Sequence, residues 1–575
     1  MGKFLIGLVT GFILTGLVLV IVVFALMRLR GAPPGIPDNA ALLLQLEGEI
    51  PERAPVEFPI PLIAERQQPT VQEVWSALRK AAADSRIKAI VLEPKSLDIG
   101  WGKLEEIRAD LEQFRRSGKP LIAFLRTPGT REYYLATAAD HIYLSPGDQL
   151  YLKGMRVQTM YFKQTLDKLG VDVQVEHAGK YKDFGDMFTR SSMSPETREV
   201  LNSILDDLYG NLLTRISMSR RKTPEEVRSI IDNGPFLAEQ ARAAGLVDEL
   251  RYEDQVFGEL KQRLHSPQDL RKVALSRYIR IPSSSLGLEG NRRIALLVGE
   301  GAITGGSTTD DGLSNEGITA EGFTKLLRRV QSDSSIDGVV VRVDSPGGEV
   351  VASDRIWREM NLLSKKKPTV ISMSDTAASG GYYMAMTGDP IVCYPGTLTG
   401  SIGVVFGKPN LRGLYGKLGI AKDTLTRGRF ADIDSDYRPL EPAELEKLRQ
   451  GISATYRDFV NKVAQARRRN YSDVEPIAQG RVWLGSQAKA KGLVDDLGGF
   501  DRAIELVKQK ARIPASEKVS LVLYPPRRSI FEVLFGRSSE DILQSRLGSL
   551  RRLWNARVWL KPGLFSIMPY VIEVY

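Results

Sequence analysis

The sequence predicts an α/β protein that contains two tandem copies of one domain, preceded by a membrane-spanning helix. Three observations support this prediction. An uncharged apolar run lies near the N-terminus, several motifs recur 249 residues apart (Asp84 and Asp333 mark the spacing), and strand-like and helix-like segments alternate in both copies. The length of 575 residues leaves room for two large domains or for three to four average ones.

Composition excludes several classes of protein. Hydrophobic residues make up 43% of the chain and charged residues 26%, which excludes a wholly disordered chain, a collagen and a polytopic membrane protein. The only cysteine, Cys393, excludes an intrachain disulfide and a multi-cysteine metal site, and three histidines offer little to a zinc enzyme. The net charge of +10 is compatible with an anionic membrane surface. Because aromatic residues are not interleaved with the arginine clusters, we expect no nucleic-acid partner.

The N-terminal segment is predicted to anchor the chain in a membrane. Residues 4–27 carry no charge, and a helix rising about 1.5 Å per residue over this length crosses a hydrocarbon core of about 30 Å. The run is longer than the apolar part of a cleaved signal peptide, and Arg28 and Arg30 follow it instead of a small-residue cleavage site. We therefore predict an uncleaved signal anchor over residues 1–30 and a linker over 31–40. Positive charges on both sides leave the orientation open.

The repeat defines the expected domains. Tyr133-Tyr134 recurs as Tyr382-Tyr383, and the Gly-Leu-Val-Asp motif at 245–248 recurs at 492–495. This period is too long for a solenoid repeat. We predict an N-terminal half over 41–265, a linker over 266–291 and a C-terminal half over 292–515. The remaining residues, 516–575, form a basic amphipathic tail that suits either an anionic lipid surface or packing on the protein itself.

Each half is expected to hold a parallel sheet. Residues 336–343 form a β-branched run short enough for a buried strand, residues 353–364 have helical apolar spacing, and residues 368–373 resemble a second strand. Strands that alternate with helices pair in parallel through crossover connections.

The two halves differ mainly at glycine-rich positions. The C-terminal half has Gly347-Gly348 directly after a strand, where the N-terminal half has Asp98-Ile99 at the equivalent positions. Paired glycines let backbone N–H groups approach a ligand closely, although an ordinary tight turn would also use them.

Two serines show the same contrast. Ser379 precedes Gly380 and Gly381 where a strand leads into a helix, and its hydroxyl would lie beside free backbone N–H groups that could stabilise an oxyanion. A plain helix N-cap is the alternative for this serine. Ser401 aligns with Leu152 of the N-terminal half and could be an ordinary turn residue.

A candidate base lies in the other half. Lys180 aligns with Arg429 in the repeat. Lysine, unlike arginine, can lose its proton at an accessible pH when burial lowers its pKa. We therefore predict Lys180 as the base, with Lys182 as a competing candidate that would share its face in an extended segment. A solvated surface lysine is the plain alternative, and His177 in a serine–histidine triad is a weaker rival. The predicted site is composite, with a serine from one half and a lysine from the other.

These segments resemble the signal peptide peptidase SppA (protease IV) family in its long, duplicated, membrane-anchored form. The matching residues are 345–348, 378–382, 397–403 and 179–182. The resemblance implies tandem ClpP/crotonase-like domains and a Ser–Lys dyad of Ser379 and Lys180. It also implies an oxyanion hole made by the amides of Gly348 and Gly380, and a hydrogen bond from Ser401 to the lysine, with Gly347 and Gly381 in support.

The resemblance also implies the biological setting. Such enzymes degrade cleaved signal peptides and other apolar peptides, need no metal or other cofactor, and assemble as rings, here a homotetramer. The catalytic body would face the extracytoplasmic or periplasmic side of a bacterial inner membrane. Two other classes stay open: a crotonase-like enzyme acting on a coenzyme A thioester, and a membrane scaffold that has kept the fold and lost the chemistry.

Overall fold

The computed structural model describes residues 35–53, 68–306, 317–526 and 563–568, together with a few positions between residues 2 and 18. Most of the predicted membrane segment, residues 4–27, and most of the predicted tail therefore lie outside the described residues. Within the part of the chain that is described, no helix is long and apolar enough to cross a membrane.

The N-terminal half contains a six-stranded parallel sheet with helices packed on it. The strands of this half, six of which form that sheet, are β1 (Ala40–Gly48), β2 (Ile87–Leu97), β3 (Leu121–Leu125), β4 (His141–Leu144), β5 (Gln149–Leu150), β6 (Asp172–Ala178), β7 (Phe236–Leu237), β8 (Glu249–Leu250) and β9 (Arg271–Ala274). The sheet order is β8-β4-β3-β2-β1-β9, and every pairing in it is parallel.

The helices of this half follow the chain between the strands. They are α1 (Val71–Ala83), α2 (Trp101–Arg115), α3 (Thr130–Ala136), α4 (Lys163–Leu169), α5 (Asp186–Thr189), α6 (Pro195–Arg220), α7 (Pro224–Ile231), α8 (Ala238–Ala243), α9 (Glu253–Arg263) and α10 (Leu275–Tyr278). Helix α1 begins at a capping box in which the Thr70 hydroxyl accepts the Glu73 amide and the Glu73 carboxylate accepts the Thr70 amide.

The C-terminal half repeats this architecture with a larger sheet. Its strands are β10 (Arg292–Glu300), β11 (Ile303–Thr304), β12 (Ile318–Thr319), β13 (Gly338–Ser345), β14 (Gly347–Glu349), β15 (Thr369–Ala378), β16 (Ile391–Cys393), β17 (Leu398–Gly400), β18 (Val404–Asn410), β19 (Val482–Leu484), β20 (Asp496–Leu497), β21 (Val519–Tyr524) and β22 (Gly563–Ile567). Its helices are α11 (Ala320–Ser332), α12 (Val350–Ser364), α13 (Gly380–Met384), α14 (Arg412–Lys417), α15 (Pro442–Ala466), α16 (Tyr471–Val474), α17 (Gly485–Ala490) and α18 (Phe500–Lys510).

The two halves share one strand order. In the C-terminal half, β20, β16, β15, β13, β10 and β21 are neighbours in that sequence and all pair in parallel. This order matches β8-β4-β3-β2-β1-β9 strand for strand. The prediction of a duplicated α/β chain is therefore confirmed.

Both halves extend beyond the predicted boundaries. Strand β9 lies in the predicted linker, strand β21 lies in the predicted tail, and the two are equivalent edge strands beside β1 and β10. The predicted tail thus begins with a strand that has a counterpart in the repeat.

A third sheet joins the halves. Its order is β12-β11-β14-β22-β18-β6, so β6 of the N-terminal half pairs with β18 of the C-terminal half. This pairing is antiparallel and continuous from Asp172 opposite Asn410 to Ala178 opposite Val404. The end of β6 therefore lies beside the start of β18.

Buried charges also hold the halves together. The Arg342 guanidinium on β13 donates to Glu52 at 2.8 Å and to Glu106 at 2.5 Å, and all three side chains are at most 1% exposed. Burial alone would raise the pKa of Glu52, but the charge of Arg342 holds it below its usual value. The Asp375 carboxylate accepts the backbone amides of Gly100 and Lys103, which caps α2 from the other half.

Candidate active site

Ser379 lies at a strained turn between β15 and α13. Its backbone has φ 55° and ψ −112°, a conformation that non-glycine residues seldom adopt. Its N–H donates to the Gly400 carbonyl at 2.8 Å, and its carbonyl accepts the Tyr383 amide at 2.7 Å. The side chain is fully buried. The chain thus holds the Ser379 hydroxyl in one place at the end of a central strand, which is where strain is stored when a site is preorganised.

Lys182 reaches this serine from the N-terminal half. After β6 ends at Ala178, Gly179 turns the chain with φ 108°, and the Lys182 amide donates back to the Gly179 carbonyl at 3.2 Å. The Tyr181 amide donates to the Gln479 carbonyl at 2.8 Å, which ties the turn to the C-terminal half. The side chain after the turn therefore points into the interface between the halves.

The lysine amine touches three oxygens. Lys182 Nζ lies 2.6 Å from Ser379 Oγ, 2.8 Å from Ser401 Oγ and 2.9 Å from the Ser401 carbonyl oxygen. Lys182, Ser379 and Ser401 are all 0% exposed. The amine is therefore fixed against the serine hydroxyl in a place that water does not reach.

Burial shifts the pKa of this lysine. Loss of solvation lowers the pKa of Lys182 well below its ordinary value, and the neighbouring Asp183 carboxylate opposes that shift only in part. A neutral amine has a lone pair that can accept the serine proton. The pair can therefore act as a general base and a nucleophile.

The prediction that Lys180 faces the serine is wrong. Lys180 is exposed, its amide donates to the Gln479 side-chain oxygen at 2.9 Å, and its Nζ lies 5.0 Å above the Tyr181 ring. The segment is a turn and not an extended strand, so Lys180 and Lys182 point in different directions. His177 is also exposed, with Nδ1 3.0 Å from the Gly179 carbonyl oxygen.

The predicted glycines converge beside Ser379. Gly347 has φ 101°, and a Cβ there would lie 2.6 Å from the Gly380 nitrogen. A Cβ on Gly348 would lie 1.9 Å from the Ile303 carbonyl oxygen, and one on Gly381 would lie 2.7 Å from the Ser345 carbonyl oxygen. Only glycine fits at these three positions, because the neighbouring atoms are backbone.

Ser401 sits in the same cluster. Its backbone has φ 51°, and its amide donates to the Arg481 carbonyl at 2.7 Å. Both of its oxygens face Lys182, so the structure places it where we expected it, although against a different lysine.

Two glycines enclose the lysine, and neither was among the predicted site residues, although Gly403 ends the matching motif 397–403. A Cβ on Gly480 would lie 2.6 Å from Lys182 Cβ, and one on Gly403 would lie 3.0 Å from Lys182 Cδ. At the offset that relates the two Gly-Leu-Val-Asp motifs, Gly480 corresponds to Asn233. The repeat comparison that drew attention to Ser379 could therefore have found Gly480 too.

Ser566 is a second residue that sequence reasoning missed. Its Oγ lies 2.7 Å from Ser379 Oγ and 3.3 Å from the Gly403 carbonyl oxygen, and its side chain is 1% exposed. It belongs to β22, which lies in the predicted tail outside the two compared halves, so the comparison of the halves could not have pointed to it.

Over the described ranges, no group of three histidine, cysteine, aspartate or glutamate side chains is arranged to hold a metal ion.

Comparison with known proteins shows the family to which the chain belongs. The family model for Peptidase family S49 matches the chain twice, over residues 113–266 and 361–514. The chain belongs to peptidase family S49. The first match contains Lys182 and the second contains Ser379, so each copy of the S49 domain supplies one side of the candidate site.

Two relatives resemble most of the chain. A serine protease SPPA of the chloroplast from Arabidopsis thaliana is 38% identical over 514 residues, which is 88% of this chain and 74% of the relative. Protease 4 from Salmonella typhi is 32% identical over 499 residues, which is 83% of this chain and 79% of the relative. The chain is therefore a serine peptidase of the duplicated SppA kind.

A more distant likeness involves a solved structure. A ClpP1 point mutant from Listeria monocytogenes aligns over 36% of this chain and 94% of its own, with 16% identity and a TM-score of 0.24. A likeness at this level does not establish a shared fold.

Proposed function

We propose that this S49 peptidase is a membrane-anchored serine endopeptidase in which Ser379 and Lys182 form the catalytic dyad. The observation that carries the proposal is the 2.6 Å contact between Lys182 Nζ and Ser379 Oγ in a fully buried setting. A buried neutral lysine next to a strained serine is the arrangement that serine activation without histidine requires.

The mechanism follows from the positions of the protein groups. Lys182 takes the proton of Ser379 as the serine oxygen attacks a peptide carbonyl carbon. The developing oxyanion would be held by the backbone amides of Gly348 and Gly380, as predicted from the sequence. The Lys182 ammonium then gives its proton to the leaving amine, and water releases the acyl group by the same route in reverse. Ser401 positions the amine throughout.

The groove beside the serine favours apolar extended peptides. Strands β14 and β18 flank this groove, which is one strand wide, and Val405, Val175 and Phe184 form an apolar cluster along it. An extended peptide in this groove would pair with both strands, and its alternate side chains would contact that cluster. Cleaved signal peptides and other apolar peptides are the substrates that we propose, with the predicted anchor keeping the enzyme at the bacterial inner membrane.

The chain also offers surfaces for a ring of identical subunits. By the repeat, residues 421–427 correspond to β6, but in the described structure they form no strand and are exposed, with Leu425 at 92%. Residues 155–161 correspond to β18 and are likewise unpaired apart from one bridge residue, with Met160 at 68%. We propose that these two segments pair between neighbouring copies as β6 and β18 pair within one, which yields a closed ring such as a homotetramer.

The test is hydrolysis of a fluorogenic apolar peptide by the full chain in detergent, together with labelling by a fluorophosphonate probe. We expect activity, probe attachment at Ser379 by mass spectrometry, and loss of both in Ser379→Ala. Ser332→Ala, a change at an exposed serine, is the matched control and should behave as the parent. A folded parent that neither hydrolyses the peptide nor reacts with the probe would refute the proposal and favour the scaffold class. Turnover of an acyl-coenzyme A ester would favour the crotonase-like class instead.

A further inference from the structure

Strand β22 of the same chain lies in the groove between β14 and β18, beside Ser379. Strand β22 pairs antiparallel with β14 on one side, where Ser566 is opposite Gly348. It pairs antiparallel with β18 on the other side, where Phe565 is opposite Val405. Both edges that an extended substrate would use are therefore occupied by residues 563–567.

The register of this strand is that of a substrate. The Met568 amide donates to the Pro346 carbonyl at 2.7 Å, and because antiparallel pairs alternate, Ser566 and Gly348 form the next hydrogen-bonded pair. The Ser566 carbonyl oxygen lies 3.0 Å from where a Cβ on Gly380 would be. This carbonyl thus sits between the two glycines predicted to form the oxyanion hole, and Ser566 takes the place of the residue whose carbonyl is attacked.

Side-chain packing holds the strand in this register. Phe565 and Ile567 are 7% and 4% exposed and join Val405, with Val175 and Phe184 against them. Ser566 points to the opposite face of the strand, with its hydroxyl against Ser379 and the Gly403 carbonyl. A slip by one residue would move the aromatic ring into the small space of Ser566.

We propose that residues 563–568 are a built-in competitor that occupies the substrate groove and must leave before an external peptide binds. The proposal rests on the proposed peptidase function, because the groove is identified by its relation to Ser379 and Lys182. It adds that the resting enzyme is self-blocked and that the tail reports the preferred pattern, a small residue between two bulky apolar ones.

A cross-link can test occupancy apart from activity. Phe406 and Leu564 are opposite each other on β18 and β22. Since even-numbered residues of β22 bond to β14, this pair is non-hydrogen-bonded towards β18, with Cα atoms about 4.5 Å apart. That separation suits a disulfide. The native Cys393 is buried and would not compete.

The experiment uses full-length Phe406→Cys/Leu564→Cys with both single variants as controls. We expect mild oxidation to form an intrachain disulfide, to lower probe labelling of Ser379 and peptide hydrolysis at least tenfold, and to be reversed by reductant. No cross-link, a cross-link only between two chains, or a cross-linked enzyme as active as the reduced one would overturn the proposal. A cross-linked protein whose reduced form is inert would support occupancy and count against the peptidase function.

A second variant guards against a folding defect in the first. Phe565→Asp would place a carboxylate in the apolar cluster and expel the strand. We expect labelling of Ser379 to become several-fold faster, while Met218→Asp, a change at an exposed methionine, leaves the rate unaltered. Unchanged or slower labelling in Phe565→Asp would overturn the proposal.

Discussion

The two halves of this chain share their strand order but divide the proposed dyad of Ser379 and Lys182 between them. Both halves turn after the equivalents of β6 at a glycine with positive φ, Gly179 at 108° and Gly428 at 99°. Beyond that turn the N-terminal half has the buried Lys182, and the C-terminal half has the exposed Ala431. At the serine position, the C-terminal half has Ser379 and the N-terminal half has Thr130. The two halves therefore have the same scaffold, and each holds one member of the proposed dyad.

The largest effect is expected when the serine is moved between the halves. In Ser379→Ala/Thr130→Ser, a serine hydroxyl replaces the threonine hydroxyl at the equivalent position of the N-terminal half. That half still has Asp98-Ile99 in place of the glycine pair, and Ala431 stands where the other site has its lysine. We expect peptide hydrolysis to stay at least about a thousandfold below the parent, the same as in Ser379→Ala alone. Recovery of activity in the double variant would show that the N-terminal half holds a second competent site.

The next largest effect concerns the buried charges that join the halves. Arg342→Met leaves Glu52 and Glu106 buried without their cation, which we expect to cost about 3–5 kcal/mol in urea unfolding. Arg328→Met removes an ion pair with Glu359 from an arginine that is 64% exposed, and should change stability by less than about 0.5 kcal/mol. Equal losses in both variants would mean that the interface between the halves is not held by this cluster.

A smaller effect is expected from the residue that positions the amine. Ser401→Ala removes one of the three oxygens that contact Lys182. We expect kcat to fall about 10- to 100-fold because the amine loses its orientation, with KM little changed and the pH profile displaced. A loss confined to KM, or a profile identical to that of the parent, would contradict this role for Ser401.

The smallest effect on catalysis is expected at the unpaired copy of β6. Leu425→Asp places a charge on the segment that we propose joins neighbouring subunits. Native mass spectrometry should show loss of the ring, while each chain keeps its complete site and at least half of its hydrolysis rate. A ring that survives Leu425→Asp would contradict the proposed pairing of residues 421–427 with 155–161.

Much of the fold and part of the site could be predicted from the sequence. The repeat predicted the duplicated α/β architecture because strand and helix periodicities are local, and because matching motifs fix the equivalence of the halves. The same comparison identified Ser379, Gly347 and Gly348, since each is lost from the other half while the scaffold around it remains.

The lysine that contacts Ser379 was not predicted correctly, and the reason is physical. We gave weight to the exchange of Lys180 for Arg429, but that exchange keeps a positive charge and suits an exposed side chain. Lys182 aligns with Ala431, so the C-terminal half lacks the positive charge at this position. Such a loss is the stronger sign of a buried function. The turn at Gly179 decides which lysine points inward, and that direction depends on contacts with Gln479 from the other half.

The central claim is that Lys182, and no other group of the N-terminal half, activates Ser379. The most direct measurement is the rate of Ser379 acylation by a fluorophosphonate against pH, in the parent, Lys182→Met and the matched Lys180→Met. Because burial lowers the pKa of Lys182, the parent rate should be high near neutral pH and fall tenfold per unit once pH drops below that pKa. We predict that Lys182→Met loses at least about a hundredfold together with this acid limb, whereas Lys180→Met stays within about twofold of the parent. The reverse pattern, or an acid limb that persists in Lys182→Met, would contradict the account.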